Sequence, residues 1–395
     1  MSCTQIKQLE ALLGKQLVKK TIKNVNINNL TAPGENFGSI MYKLDIVLNN
    51  NDNGTEEILH AVAKTLPAAE LWRKIFNIQV TYTNEMAFYQ IVLPTFQEFQ
   101  RSLGIDNVIN CFAECLAVRK NLLGNDSDVI DDDAVIVLEN LISKGYNNID
   151  RVKGFDLKTS KIILKDIAHL HAVGLSLKLK DPKKFDEKVK KYCHVYEPPK
   201  ENSENNLLKA VVAENEECRQ FLSSIHGWGE IPKAAPREPF ATLVHQDLWT
   251  NNTMQKFENG NPVGNKLVDL QIYEYGSPAA DVFFFIFSSI PLEVLEPHLD
   301  DLLHFYHENF TGFLKKHKCN LEFSYDQFLD EMEFVSAFEF SHALLFHLVA
   351  VNGKKGGHEP DELPSVDKFL KYMSQPVKEK AWYMVKECVK RGWLK

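Results

Sequence analysis

Apolar and polar residues alternate with a period of two along SIMYKLDIVLN (39–49) and again along EEILHAVAKTL (56–66). The polar run NNNDNG between them has the composition of a hairpin tip, so the two segments read as strands joined by a tight turn. A turn at TAPGENFG (31–38) precedes them. YTNEMAFYQIVLPTF (82–96) follows with helical spacing and is expected to close at Pro94, since proline lacks the N–H a continuing helix needs. CFAECLAVRK (111–120) and the apolar run AVIVLENL (134–141) are further strand candidates. The order reads strand, strand, strand, helix, strand, strand, with two of the strands before the helix placed. After the polar loop SKGYNNIDRVKG (143–154), apolar residues recur at helical intervals through LKTSKIILKDIAHLHAVGLSLK (157–178), and the chain changes character. From residue 283 onward, aromatic and aliphatic residues recur as in packed helices to the end. The pattern predicts an α+β chain: a small lobe with an antiparallel sheet over 1–141, and a larger, mainly helical lobe over 142–395.

Length and composition narrow the function classes. A chain of 395 residues suits two unequal lobes meeting at a cleft, and 44% hydrophobic with 25% charged residues is ordinary for a globular protein. A net charge of −8 and a pI near 5.9 argue against nucleic acid or an anionic membrane as the main partner. The Lys-rich run LKLKDPKKFDEKVKK (177–191) reads as a solvated helix face. The first residues lack the apolar core of a signal peptide, and no stretch reaches membrane-spanning length, so a soluble, cytoplasmic protein is expected, and it is taken to be a monomer. Seven scattered cysteines form no paired framework and no metal knuckle; the spacing of four between Cys111 and Cys115 would suit a shared helix face, but with no His or Cys partner nearby they read as buried free thiols.

The chemistry concentrates in LVHQDLWTNNTM (243–254) and KLVDLQIYEYGSPAADVFFF (266–285). Asp247 stands five positions before Asn252, and Asp269 follows downstream. Phosphoryl transfer needs such a set: one carboxylate to orient or deprotonate the attacking hydroxyl, and an amide and a second carboxylate to hold Mg²⁺ against the phosphates. The apolar Leu-Val before each motif predicts short strands that deliver both acids to one cleft edge.

HQDLWTNN resembles the catalytic loop of the aminoglycoside phosphotransferase and choline kinase group within the protein-kinase-like fold, and VDLQ resembles its metal-binding segment. The nearer resemblance is to the insect ecdysteroid kinase-like family, carried by HQDLWTNN, by VDLQ followed by YGSPAAD, and by the GENFGS turn, over roughly residues 30 to 350. The resemblance implies an ATP- and Mg²⁺-dependent small-molecule kinase in which Asp247 is the catalytic base. It implies Asn252 and Asp269 as metal ligands, Asp281 as a structural acid bracing the catalytic loop, and His245 as a second brace. Gln271 stands where a protein kinase has glycine, which removes the basis for the usual switching of that segment.

The amino-terminal elements agree. Lys64 lies on a predicted strand, as does the lysine that pairs the nucleotide phosphates in kinases, and Glu85 on the following helix is its natural ion-pair partner. Gly34 and Gly38 let the backbone turn closely over phosphates, with Asn36 and Ser39 supplying polar contacts. Glu139 to Leu141 form the expected hinge against adenine. His169 and His171, two apart, point to different faces of a helix and read as core residues with polar contacts rather than as a metal pair.

Three functions compete. A silent kinase-like binder would have lost Lys64, Asp247 or Asp269, and all three are present. A protein kinase would carry Arg where Gln246 stands and an APE segment that is missing. The leading reading is a phosphotransferase acting on a small hydroxylated molecule, with the silent ligand-binding protein kept as an alternative. Family resemblance makes the acceptor a lipophilic alcohol of the steroid class, consistent with the aromatic stretch from Phe283 to Phe346. The acids Glu331, Glu333 and Glu339 keep a cationic acceptor of the choline or aminoglycoside kind as the alternative.

Overall fold

The computed structural model describes residues 6–30, 38–123, 127–196, 204–226, 235–351, 370–371 and 373–395. Strands β1 (Lys20–Asn29), β2 (Ile40–Asn50), β3 (Glu56–Thr65), β4 (Cys115–Arg119) and β5 (Val135–Glu139) form one antiparallel sheet in the order β1-β2-β3-β5-β4. β1 is the strand that alternation alone does not reveal: Lys and Asn outnumber its apolar residues Ile22, Val25 and Ile27, and none of its side chains is fully buried, so its pattern is faint. The β2–β3 tip closes as expected, with Gly54 in the left-handed region and Asn50 and Asn53 accepting from the backbone N–H groups of Asp52 and Thr55.

Period-two alternation divides the sheet into two faces. Tyr42, Leu44, Ile46 and Leu48 of β2, Ala61 and Ala63 of β3, and Val135 and Val137 of β5 form a small core on one face, capped by Leu13 beside α1 (Leu9–Leu12). Ile136 and Leu138 belong to the large core shared with the helices. Lys64, directly after Ala63, therefore lies on the face that looks toward the helices. This register turns the ammonium toward the helical half.

After α2 (Glu70–Ile75), α3 (Ile78–Ala87) does not stop at Pro94. A π turn at Phe88–Val92 leads without a break into α4 (Leu93–Ser102), where Pro94 occupies the first turn and needs no intrahelical donor. The Thr95 hydroxyl donates to Ile91 O at 2.7 Å, using a carbonyl of the interrupted ladder. The expected helix end is thereby corrected: the widened turn accommodates the proline. Cys111 and Cys115 do not share a helix face; Cys111 precedes β4 and Cys115 opens it, and the described cysteines are all free thiols.

The second half is built on α5 (Leu157–Lys180), capped by Asp156 accepting from Thr159 N at 2.7 Å. α6 (Pro182–Lys188) and α7 (Glu204–Ala213) follow. A three-stranded sheet of β6 (Tyr146–Asn147), β8 (Thr253–Glu258) and β9 (Asn261–Leu267) and a pair of β7 (Thr242–Val244) with β10 (Glu274–Gly276) carry the two motifs. α8 (Pro278–Ser289), α9 (Leu292–Lys316), α10 (Tyr325–Leu345), a π turn at Phe346–Val351 and α11 (Gln375–Lys390) complete the chain. All of α8 is buried, so Phe283, Phe285 and Phe287 are core and not pocket lining. The α+β architecture with an antiparallel amino-terminal sheet and a mainly helical remainder is the one the pattern predicts. No helix among the described residues is long and apolar enough to cross a membrane.

Candidate active site

β7 is held hard against α5. A Cβ on Gly174 would fall 2.6 Å from Thr242 Oγ1, so only glycine allows this approach, and the Thr242 hydroxyl donates to His171 O at 3.0 Å. The chain then leaves β7 through His245 and Gln246. Asp281, at the start of α8 and fully buried, accepts from His245 N at 2.6 Å and from Gln246 N at 2.8 Å. His171 Nε2 donates to the same carboxylate at 3.0 Å, while its Nδ1 accepts from Tyr306 OH at 2.7 Å. Burial opposes the charge on Asp281, but His171 and the loop N–H groups outweigh it and its pKa is lowered. Asp281 thus clamps the backbone of the loop that follows β7, and His171 is the polar core contact that its sequence position suggested. His169 stacks on Phe313 and bonds Gln100, likewise in the core.

His245 carries the loop further. Its Nε2 donates to Val268 O at 3.1 Å, and its Nδ1 accepts from Asp247 N at 3.3 Å, a pattern that requires the neutral Nε2–H tautomer. Burial lowers its pKa, which favours that neutral form. Val268 N in turn donates to Asn252 O at 3.0 Å. One histidine and one backbone bond tie the segment before Asp269 to the segment holding Asp247 and Asn252. Gln246 and Asp269 both adopt positive φ, at 68° and 65°, an uncommon conformation for residues with a Cβ.

Four chemically active side chains converge here. Asn252 Nδ2 donates to Asp247 Oδ2 at 2.7 Å and to Asp247 O at 2.9 Å. That leaves Asp247 Oδ1 buried without a hydrogen-bond partner among the described residues. Burial, then the charge of Asp269, push Asp247 up to about 7, against the pull of Asn252 and Lys64. Lys64 Nζ stands 2.6 Å from Glu85 Oε2 and 2.6 Å from Asp269 Oδ1. Burial alone would depress the Lys64 ammonium, but Asp269 and Glu85 more than compensate and its pKa is raised. Glu85 is pushed up to about 7 by burial.

Of the expected phosphate turn, Gly34 and Asn36 lie outside the described residues. Ser39 is buried, and a Cβ on Gly38 would meet the Gln271 Nε2 at 3.4 Å and Phe76 at 3.5 Å. In the expected hinge, Glu139 N donates to Glu114 O at 2.9 Å and Asn140 N to His60 O at 3.0 Å, while Leu141 is buried. Among the described residues no three His, Cys, Asp or Glu side chains converge as a metal cluster. A cation at Asn252 and Asp269 would thus depend on amide oxygens and ligand oxygens as well as one carboxylate, a set that fits Mg²⁺ and disfavours a soft metal.

Sequence spacing missed two further contributors. Asn84, adjacent to Glu85 and fully buried, donates to Gln271 O at 3.3 Å and His194 O at 2.8 Å. Tyr196 OH donates to Ile75 O at 2.8 Å, and its raised pKa reflects burial and the nearby Asp247. A strap at 193–196 therefore spans from the helical half to α2 and α3. No local pattern signals it.

The profile of the ecdysteroid kinase-like family matches residues 33–319, a span that takes in every element of this site. The chain belongs to the ecdysteroid kinase-like family. No curated protein matches it in sequence. Its backbone is similar to that of Plasmodium vivax ethanolamine kinase, at 11% identity and a TM-score of 0.45 over 98% of this chain and 88% of that one. It is also similar to choline kinase from Cryptosporidium parvum, at 10% identity and a TM-score of 0.43 over 98% of each chain. A third likeness is to aminoglycoside 2′-phosphotransferase-IIIa in its GDP complex, at 12% identity and a TM-score of 0.38 over 97% of this chain and 98% of that one.

Proposed function

We propose that this member of the ecdysteroid kinase-like family is an active, ATP-dependent phosphotransferase that phosphorylates a hydroxyl of a lipophilic alcohol, with an ecdysteroid or related steroid as the leading candidate. The observation that carries the reading is the asymmetry of Asp247: Oδ2 is held by Asn252, whereas Oδ1 is buried and unpartnered among the described residues, and the carboxylate is tuned to about 7. A general base needs one oriented oxygen, a free second oxygen and a pKa near working pH.

In this reading the acceptor oxygen forms a bond to the γ-phosphorus as the bond from that phosphorus to the β,γ-bridging oxygen breaks, and Asp247 takes the hydroxyl proton. Lys64, fixed by Glu85, stabilises phosphate charge, and the backbone at Leu141 meets the adenine edge. Asn252 and Asp269 would hold Mg²⁺, which when bound neutralises the phosphate oxygens. Gly38 and Ser39, with Gly34 and Asn36, would cover the phosphates.

Two features support an apolar acceptor. Trp249, two residues beyond the base, meets Phe346 edge-on at 5.4 Å between centroids, with the core residue Phe284 behind Phe346 at 4.9 Å, so two half-buried aromatic rings adjoin the catalytic loop. Two of the three acids that favoured a cation are already paired: Glu331 with Arg237 and Ser277, and Glu333 with Lys395. Glu339 keeps a cationic acceptor as the second reading, since its Oε1 is buried and unpartnered among the described residues although Oε2 binds His342. Mass spectrometry of products from a panel of alcohols with ATP and Mg²⁺ tests the assignment; absence of any phosphorylated product would leave only a ligand-binding role.

A further inference from the structure

Gln271 has no part in the chemistry described so far, yet its position is unusual. It lies two residues beyond Asp269 and is only 7% exposed. Its Nε2 lies toward Gly38, 3.4 Å from where a Cβ of that residue would stand, so the absence of a side chain at Gly38 makes room for the amide. Its backbone carbonyl accepts from Asn84, whose neighbour Glu85 pairs Lys64. Gln271 is thus fixed between the turn expected over the phosphates, the helix that orients the lysine and the segment of Asp269.

Its Oε1 is buried and has no hydrogen-bond partner among the described residues. A buried carbonyl oxygen left unpaired costs about 1–3 kcal/mol, so this oxygen calls for a donor or a cation. Phosphate oxygens cannot fill that role, because they offer no hydrogen at neutral pH. A hard cation can, and amide oxygens are among its ordinary ligands. Asn252 and Asp269 alone supply few of the six oxygens that Mg²⁺ requires.

Resting on the Mg²⁺-nucleotide reading above, we propose that Gln271 is a third protein ligand of the cation, contributing its side-chain oxygen beside Asn252 and Asp269. Glutamine at this position then does what glycine cannot: it adds an oxygen donor without adding charge. The protein side of the site keeps a single carboxylate among its ligands, so the cation is held firmly only when phosphates complete its shell.

Mn²⁺ titrated into the full-length protein with saturating ADP, free Mn²⁺ being read by electron paramagnetic resonance, tests this without turnover. Gln271→Leu should weaken Mn²⁺ uptake about tenfold, while Gln271→Glu should tighten it because a carboxylate is the better ligand. ADP binding measured without metal should be unchanged in both. Mn²⁺ affinities indistinguishable from wild type in both variants would overturn the proposal, as would an equal loss of metal-free ADP binding in Gln271→Leu, which would make the amide a phosphate contact. If Gln271→Leu does not fold, Gln271→Glu decides alone, and a failure to tighten counts against the assignment. Wild-type protein that takes up no Mn²⁺ with ADP would instead remove the nucleotide-site reading itself.

Discussion

The Lys64 ammonium and the Asp269 carboxylate, 205 residues apart in the chain, lie 2.6 Å from each other. β3 supplies the lysine and the segment after β9 supplies the acid, so this one contact joins the sheet to the helical half. Lys64 is only 4% exposed, far more buried than a lysine that merely faces solvent from a strand. It therefore has two duties, charge compensation for Glu85 and Asp269 and, in the proposed reaction, contact with phosphate.

Lys64→Met should accordingly abolish detectable transfer and also destabilise the fold by about 1–3 kcal/mol, because Glu85 is left buried without its partner. Lys64→Met combined with Glu85→Leu should recover most of the stability and none of the activity. Thermal melts of the two variants beside wild type check this, and a single variant as stable as wild type would show that Glu85 is satisfied by other means.

Asp247→Asn should lower turnover by about 10³-fold, in the middle of what general-base removal costs, with nucleotide affinity nearly kept. Stability gives a second readout. A carboxylate raised to about 7 in the folded protein binds its proton more tightly there than in the unfolded chain, so its contribution is complete at low pH and is lost as pH rises through 7. Asparagine avoids that loss and can still accept from Asn252. The variant should melt with wild type near pH 4 and gain on it as pH rises, by up to about 4 kcal/mol above pH 8, the cost of a charged base removed. Equal melting at both pH values would mean that Asp247 is not perturbed.

Much of this site is legible in the amino-acid sequence, and the reason is local. Asp247 and Asn252 share one loop, so their spacing alone implies their contact, and the Lys64–Glu85 pair joins β3 to α3, only a short helix further on. Contacts between distant segments leave no such trace. Asn84 reads as an ordinary helix residue until His194 and Gln271 are brought to it, and the orphaned oxygen of Gln271 is a property of what surrounds it. Pro94 misleads for a related reason: a proline signals a helix end unless a π turn precedes it, and π turns have no reliable sequence mark.

Asp269→Asn should reduce Mg²⁺-dependent nucleotide binding and activity together, since a neutral amide is a poor substitute for the one carboxylate among the proposed ligands. Lys64 keeps Glu85, so the fold should hold. Calorimetric titration of ATP with and without Mg²⁺ separates the effects; an unchanged metal dependence would remove Asp269 from the metal site.

Asp281→Ala should be the most destabilising of these changes, by about 3–5 kcal/mol, because two loop N–H groups and His171 lose their acceptor together in a fully buried place. Asp281→Asn cannot imitate the native acid, as its NH₂ would face a donor. A melt that leaves Asp281→Asn at the wild-type temperature would mean that the clamp contributes little.

The acceptor is tested by pairing substrates with variants. If the half-buried rings of Trp249 and Phe346 receive a rigid apolar alcohol, Trp249→Ala should raise the acceptor KM about tenfold through lost burial and leave the KM for ATP in place. Glu339→Gln should then change little for a neutral sterol: its Oε2 bond from His342 can be kept by the amide oxygen, and no charge has to be matched. A cationic acceptor reverses the pattern, because Glu339 carries a buried second oxygen with no partner among the described residues, and neutralising it would remove the compensating charge. Competition among ecdysteroids, choline, ethanolamine and an aminoglycoside, scored by kcat/KM in wild type and both variants, distinguishes the cases. Preference for any cationic amine over every sterol, together with a large loss in Glu339→Gln, would sink the lipophilic assignment and leave Asp247, Asn252 and Asp269 in the roles proposed for them.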